Sequence, residues 1–182
     1  ATAEDPLWVV AIGAATNLAS AILVDPSIAP TVRFVFHARS EETWPERNQQ
    51  YNVGGDMKAA RALLTSSVPL VWFDTGEQLT CPMATTEQRL APLGGLPAFL
   101  HEYRYRHSGF QSEGKGFFDI GDFAWMIQPD VCTADVVEAP WMDWAMRFHH
   151  DSANGSMLRV HHIKPEPAWE IFFRAMERHR AS

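Results

Sequence analysis

The sequence predicts an α/β fold with an open, mostly parallel Rossmann-like sheet flanked by helices, and three observations support this prediction. Short apolar runs typical of buried strands recur along the first part of the chain. Stretches of helical character separate them, as crossovers between parallel strands require. The chain has 182 residues, of which 46% are hydrophobic, so it can bury a core and is predicted to form a single domain over residues 1–182.

The first predicted unit is a strand followed by a helix. Residues 8–12 form a continuous apolar strand, and residues 16–24 form the helix. This helix ends at Asp25 because the residue before a proline, here Pro26, avoids the helical conformation. A second apolar strand follows at residues 32–36.

A polar loop after the second strand leads to a second predicted helix. The loop continues to Asn52 and has the composition of a functional loop. Asp56 is a favourable N-cap for the helix that follows, which reaches Leu64. Residues 68–73 then form a third apolar strand.

The second half of the chain is predicted to contain more helix than strand. A helix over residues 96–105 is followed by a Gly/Ser/Lys loop at 108–116 and by a helix that starts at Asp119 and ends before Pro129. Residues 136–148 and 157–163 are expected to pair as antiparallel strands joined by a turn at 152–155. An amphipathic helix over residues 165–179 closes the chain.

The composition excludes several classes of protein. A formal charge of −7 and a pI near 5.6 leave no basic stripe for a phosphate backbone, so no nucleic-acid partner is expected. No apolar run reaches the roughly 18 residues of a membrane span, so no membrane partner is expected either. Cys81 and Cys132 lack a metal-binding spacing and are expected to be buried free thiols. Localisation is taken as cytoplasmic by default.

Three motifs place polar groups where a strand or loop runs into a helix. The first, Gly13-Ala14-Ala15-Thr16-Asn17, follows the first strand, where open α/β sheets hold their ligands. Its small residues let a ligand approach the main chain, so Thr16 could direct a carbonyl or hydroxyl at a metal or ligand. The alternative is that Thr16 or Asn17 caps the helix.

The second and third motifs carry amide and carboxylate side chains. Gln50 and Asn52 occupy alternate positions of a segment expected to be extended, so both could reach neighbouring hydroxyls of one sugar, or both could be exposed loop amides. Asp119 begins a helix, where a carboxylate either ligates a hard cation such as calcium or acts as an N-cap. Asp122, one turn on, is expected to be solvated or capping.

Together the three motifs resemble the C-terminal part of a nucleoside hydrolase of the inosine-uridine preferring type. The resemblance implies a Ca²⁺ cofactor, with the Asp119 carboxylate and the main-chain carbonyl of Thr16 among its ligands. It also implies that Asn52 and Gln50 bind the ribose and that Phe118 lies beside the base. The implied reaction is hydrolysis of the N-glycosidic bond of a small-molecule ribonucleoside, and a homo-oligomer is compatible with it.

The chain departs from the family pattern at several of these positions. Gln50 replaces a glutamate of the family pattern, Trp44 replaces an asparagine, and His37-Ala38 replaces a glycine pair. Phe118 replaces a histidine and cannot donate a proton to the leaving base. The Asp-rich motif that supplies most calcium ligands and the catalytic base does not occur in the sequence, so the catalytic Asp is expected upstream.

These departures leave two other functions open. One is a non-catalytic module that keeps the fold and binds sugars or carbohydrate polymers. The other is a structural subunit that needs a partner half. Ser66, Ser67 and Ser152 lack the context of a nucleophile elbow, and no G-x-G-x-x-G motif occurs, so serine hydrolases and dinucleotide enzymes are disfavoured.

Overall fold

The computed structural model describes residues 1–111, 113–150 and 154–179. Its strands are β1 Leu7–Ala11, β2 Val32–His37, β3 Leu70–Phe73, β4 Thr80–Cys81, β5 Lys115–Gly116, β6 Thr133–Glu138, β7 Trp141–Met142, β8 Phe148–His149 and β9 Ser156–His161. Its α-helices are α1 Thr16–Val24, α2 Tyr51–Gly55, α3 Met57–Leu64, α4 Met83–Arg89, α5 Gly95–Arg106, α6 Ile120–Ile127 and α7 Pro165–His179. Short 3₁₀ helices occupy Pro26–Thr31, Ala91–Leu93, Ser108–Phe110 and Pro129–Val131.

The chain divides into two compact units. The first unit comprises Ala1–Thr75 and Thr133–His162, and the second comprises Gly76–Cys132 and Ile163–Ser182. The single domain expected over residues 1–182 stays a prediction. No helix within the described ranges is both long and apolar enough to cross a membrane.

The first unit contains a five-stranded sheet with the order β1-β2-β3-β9-β6. β1, β2, β3 and β9 run parallel, and β6 pairs antiparallel with β9. The predicted mostly parallel α/β sheet with an antiparallel pair is therefore confirmed. Ala11 pairs with Phe36, and Phe73 pairs with both His37 and Val160, so the carboxyl ends of four strands lie at the same edge.

The core of the first unit explains why its central strand, β3, is apolar and buried throughout. Parallel strands are covered on both faces, so continuous apolar runs replace the alternation of a half-exposed strand. Phe36 and Trp72 are fully buried and meet edge to face, with ring centroids 5.3 Å apart. Leu18 of α1 and Leu63 of α3 belong to the same buried cluster. Burial of each such side chain stabilises the fold by about 1.5–3 kcal/mol.

The second unit is mainly helical and has its own aromatic contacts. The Phe117 ring meets Trp169 of α7 at a centroid distance of 5.6 Å, and Trp169 stacks on Phe173 at 5.6 Å. Buried Arg104 of α5 donates to the main-chain carbonyls of Cys81 (2.6 Å) and Pro82 (3.1 Å). These bonds fix α5 against the segment that begins α4.

Two predicted elements differ from the structure. The strand expected over residues 136–148 is wrong: β6 ends at Glu138, and the chain then forms the hairpin of β7 and β8, in which Trp141 pairs with His149. Pro140 lacks the amide that a continuing ladder would use. The turn expected at 152–155 lies partly outside the described residues.

The segment of Gln50 and Asn52 is not extended, because Gln50 caps α2 and Asn52 lies in its first turn.

The other predicted helices and strands agree with the structure to within a few residues, whereas the loop expected at 108–116 contains a 3₁₀ helix and β5. α1 and α7 have the expected bounds, and α5 extends the expected helix by one residue at each end. Cys81 and Cys132 are buried free thiols, as expected.

Candidate functional site

The carboxyl edge of the parallel sheet carries the predicted site residues of the first unit. Thr16 follows β1 at the start of α1, and Gln50 and Asn52 lie at the start of α2 after the loop that leaves β2. Phe118 and Asp119 belong to the second unit, directly before α6.

Thr16 does not cap α1, and its hydroxyl forms a hydrogen bond elsewhere. The N-cap position of α1 is Ala15, which has no side-chain capping bond. The Thr16 hydroxyl instead donates to Oδ2 of Asp56, at 2.7 Å. Asp56 caps α3 as predicted, because its Oδ1 accepts from the Ala59 amide at 3.0 Å. The Ala59 amide, and then the Thr16 hydroxyl, lower the pKa of Asp56 from its usual value.

Gln50 and Asn52 are brought together by the start of α2. The Gln50 Oε1 accepts from the Asn52 amide at 2.6 Å, so the Gln50 side chain is the N-cap of the helix. The Asn52 side chain is buried, and its Nδ2 donates to the His37 carbonyl at the end of β2, at 3.0 Å. The two amides therefore share one short segment but are not the exposed loop amides of the alternative interpretation.

The loop between β2 and α2 is tied to the next strand by a buried carboxylate. Asp74, which follows β3, is fully buried, and its Oδ1 accepts from both the amide and the hydroxyl of Ser40. Its Oδ2 accepts from Nε of Arg159 on β9, at 2.6 Å. Burial raises the pKa of Asp74, while the hydrogen bonds from Ser40 and the charge of Arg159 oppose that rise.

The contacts of Asp74 with Ser40 and Arg159 could not be predicted from the sequence, because the three residues lie far apart in the chain. Ser40 and Asp74 are 34 residues apart, and Asp74 and Arg159 are 85 apart. The sequence features that could have indicated these contacts are an acid directly after an apolar strand, Asp74, and an arginine within a strand, Arg159. Both patterns are common on solvated edges, so neither predicts a buried pair.

Trp44, which stands where the family has an asparagine, is part of an aromatic cluster. Its ring lies 5.1 Å from Phe148 and 5.3 Å from His150, centroid to centroid. The Arg159 guanidinium lies 4.7 Å from the same ring, at cation–π distance. Trp44 therefore packs the loop onto the sheet.

In the second unit, two carboxylates lie at the start of α6. Asp119 occupies the N-cap position but makes no side-chain capping hydrogen bond to the helix. Asp122 is fully buried, so the expectation that it is solvated is wrong, while the alternative that it caps the helix stays a prediction. The reason is that α6 turns its Asp122 face inward together with Ala124 and Trp125. Carboxylate oxygens of Asp119 and Asp122 lie within 4.8 Å of each other.

These carboxylates fit a calcium ligand set in their chemistry. Calcium prefers hard oxygen donors, and two carboxylates of one helix turn within 4.8 Å of each other supply them. Phe118, beside Asp119, packs its ring over Gly116, where any side chain would overlap the ring.

Comparison with known proteins finds similarity to nucleoside hydrolases in both sequence and fold. No protein-family model matches the chain. The non-specific ribonucleoside hydrolase RihC of Shigella flexneri is 28% identical over 137 residues, covering 72% of this chain and 44% of that protein. The chain therefore spans less than half the length of this curated relative.

Solved structures support the same fold. The purine-preferring ribonucleoside hydrolase from Gardnerella vaginalis matches 96% of this chain and 61% of its own, with a TM-score of 0.76 and 18% identity. The inosine-uridine preferring nucleoside hydrolase from Bacillus anthracis matches 95% of this chain and 61% of its own, with a TM-score of 0.69 and 13% identity. Sequence and fold comparisons thus agree: the chain is similar in sequence to ribonucleoside hydrolases and has the fold of nucleoside hydrolases over part of their length.

Proposed function

We propose that this protein hydrolyses the N-glycosidic bond of ribonucleosides, releasing ribose and the free base. The observation that carries the proposal is the arrangement at the carboxyl edge of the parallel sheet, where Thr16, Gln50 and Asn52 lie at the starts of helices that follow β1 and β2. The similarity to ribonucleoside hydrolases supports it.

The ribose is proposed to bind Gln50 and Asn52. Asn52 uses Nδ2 on the His37 carbonyl, which leaves its Oδ1 to accept a hydrogen bond. Gln50 uses Oε1 on the helix amide, which leaves its Nε2 to donate. Each hydroxyl of a vicinal diol can both donate and accept a hydrogen bond. The Asn52 Oδ1 acceptor and the Gln50 Nε2 donor therefore suit a sugar rather than an apolar ligand.

The metal is proposed to be calcium. Asp119 is the proposed carboxylate ligand in the second unit, and the main-chain carbonyl of Thr16 is a proposed calcium donor in the first. When bound, calcium would hold sugar hydroxyls and acidify the attacking water. Phe118 is proposed to contact the base by stacking, since its ring has no proton to give.

The proposal is tested by chromatography of inosine and uridine incubated with the protein in phosphate-free buffer. We expect equal amounts of base and ribose with calcium, and none after chelation. Phosphate is left out so that phosphorolysis cannot contribute. Ribose binding without any release of base would contradict the proposed hydrolysis and favour the sugar-binding module.

A further inference from the structure

We propose that Asn48 is a positioning residue that holds the sugar-binding amides of Gln50 and Asn52 in place. This inference rests on the proposed function, because it concerns the segment assigned to the ribose. Asn48 is fully buried in the loop between β2 and α2, where a polar side chain is costly unless its hydrogen bonds are made.

Both ends of the Asn48 amide are used within the loop. Its Nδ2 donates to the Ala38 carbonyl at 3.1 Å, and its Oδ1 accepts from the Gln50 amide at 2.9 Å. The Asn48 main-chain amide donates to the Met146 carbonyl at 2.9 Å. One side chain therefore joins the beginning of the loop to the residue that caps α2.

The point to which Asn48 is attached is itself fixed to the sheet. The Ala38 amide donates to the Phe73 carbonyl at the end of β3, at 2.8 Å. Two residues later, Ser40 donates to buried Asp74. A displacement of the loop would thus break bonds to the central strand as well as those within the loop.

Asn48 and Asn52 bind consecutive carbonyls at the end of β2. Asn52 binds the carbonyl of His37, and Asn48 binds the carbonyl of Ala38. Successive carbonyls of an extended segment point in different directions. Hydrogen bonds to two adjacent carbonyls therefore fix both the position and the orientation of the segment from Asn48 to Asn52 relative to β2. This double attachment fixes where Gln50 and Asn52 present their remaining polar atoms.

The neighbouring Gln49 offers a matched control. It carries the same kind of side chain in the same loop but is exposed, and no side-chain hydrogen bond is made by it within the described part of the chain. Replacing Gln49 by alanine removes an amide without touching the attachment.

The test compares Asn48→Ala, Asn48→Asp and Gln49→Ala by hydrogen exchange of the main-chain amides and by calorimetric titration with D-ribose. Asn48→Asp keeps the size and the acceptor for Gln50, but sets a carboxylate oxygen against the Ala38 carbonyl. We expect both Asn48 variants to accelerate exchange in α2 by at least about fivefold, because a buried hydrogen bond is lost. Exchange in β3 should stay unchanged, and ribose affinity should fall at least about fivefold.

The exchange and titration results together decide the inference. Local acceleration in both Asn48 variants with weaker ribose binding, and wild-type behaviour of Gln49→Ala, would support it. Unchanged exchange in α2, equal acceleration in α2 and β3, or unaltered ribose affinity in a loosened loop would overturn it. If the wild-type protein does not bind ribose, the proposed function fails while the exchange data still decide whether Asn48 holds the loop.

Discussion

The Thr16 hydroxyl donates a hydrogen bond of 2.7 Å to the Asp56 carboxylate, across 40 residues of sequence. This bond joins the turn after β1 to the N-terminus of α3. The two segments also approach closely at Gly55, where a Cβ atom would lie 3.2 Å from that of Ala14. The small residues of the first motif therefore allow close packing between the two helix starts.

Thr16→Val should weaken this junction. The substitution keeps the shape of the side chain but removes the donor to Asp56, so we expect the free energy of unfolding to fall by about 0.5–1.5 kcal/mol. Thr16→Ser keeps the hydroxyl and should lose less. Urea titration of the three proteins measures the difference, and equal midpoints for valine and wild type would show that the bond contributes nothing.

Asp56→Asn should lower stability in a pH-dependent manner. The folded protein holds the pKa of Asp56 below 3.8, so its ionised form stabilises the fold above that pH and this contribution is lost as the pH falls through the folded value. We expect wild type to be more stable than the variant at pH 5–7, with the difference shrinking below about pH 4. A gap that widens in acid would contradict the assigned direction.

The helix boundaries that the sequence predicted correctly are set by residues close together in the chain. The start of α3 follows from Asp56 and its own amides, and the end of α1 follows from Asp25-Pro26. The contacts that the sequence did not predict join distant segments: the burial of Asp74 depends on Ser40 and Arg159, and that of Asn48 depends on carbonyls of β2. No local period or spacing encodes such partners.

Arg159→Met should destabilise the first unit strongly at neutral pH. Methionine can fill the space beside Trp44, but Asp74 is left as an unpaired buried carboxylate, which costs about 3–5 kcal/mol. Since burial already raises the pKa of Asp74, the variant should take up a proton there and recover stability as the pH is lowered from 7 to about 5. Thermal unfolding at the two pH values tests this, and a pH-independent loss would argue for packing alone.

Gln50→Glu should strengthen sugar binding without harming the fold. A carboxylate oxygen can still accept from the Asn52 amide, and a negative charge at the start of α2 is favourable. A charged acceptor forms stronger hydrogen bonds to hydroxyls than an amide does. The second carboxylate oxygen takes the place of the Nε2 donor and accepts from a sugar hydroxyl, so we expect ribose affinity to rise by about threefold to tenfold with no drop in melting temperature; an unchanged affinity would count against Gln50 as a sugar ligand.

Calcium-dependent hydrolysis is tested by the rate of ribose release from inosine, measured for wild type, Asp119→Ala and Asp130→Ala. Asp130 lies just beyond α6, is exposed and has no proposed role, so it controls for loss of an acidic side chain. We predict calcium-dependent release by wild type and Asp130→Ala, and a loss of at least about 100-fold in kcat/KM for Asp119→Ala. Equal rates for all three proteins, or release that persists after complete chelation, would show that hydrolysis does not depend on calcium bound at Asp119.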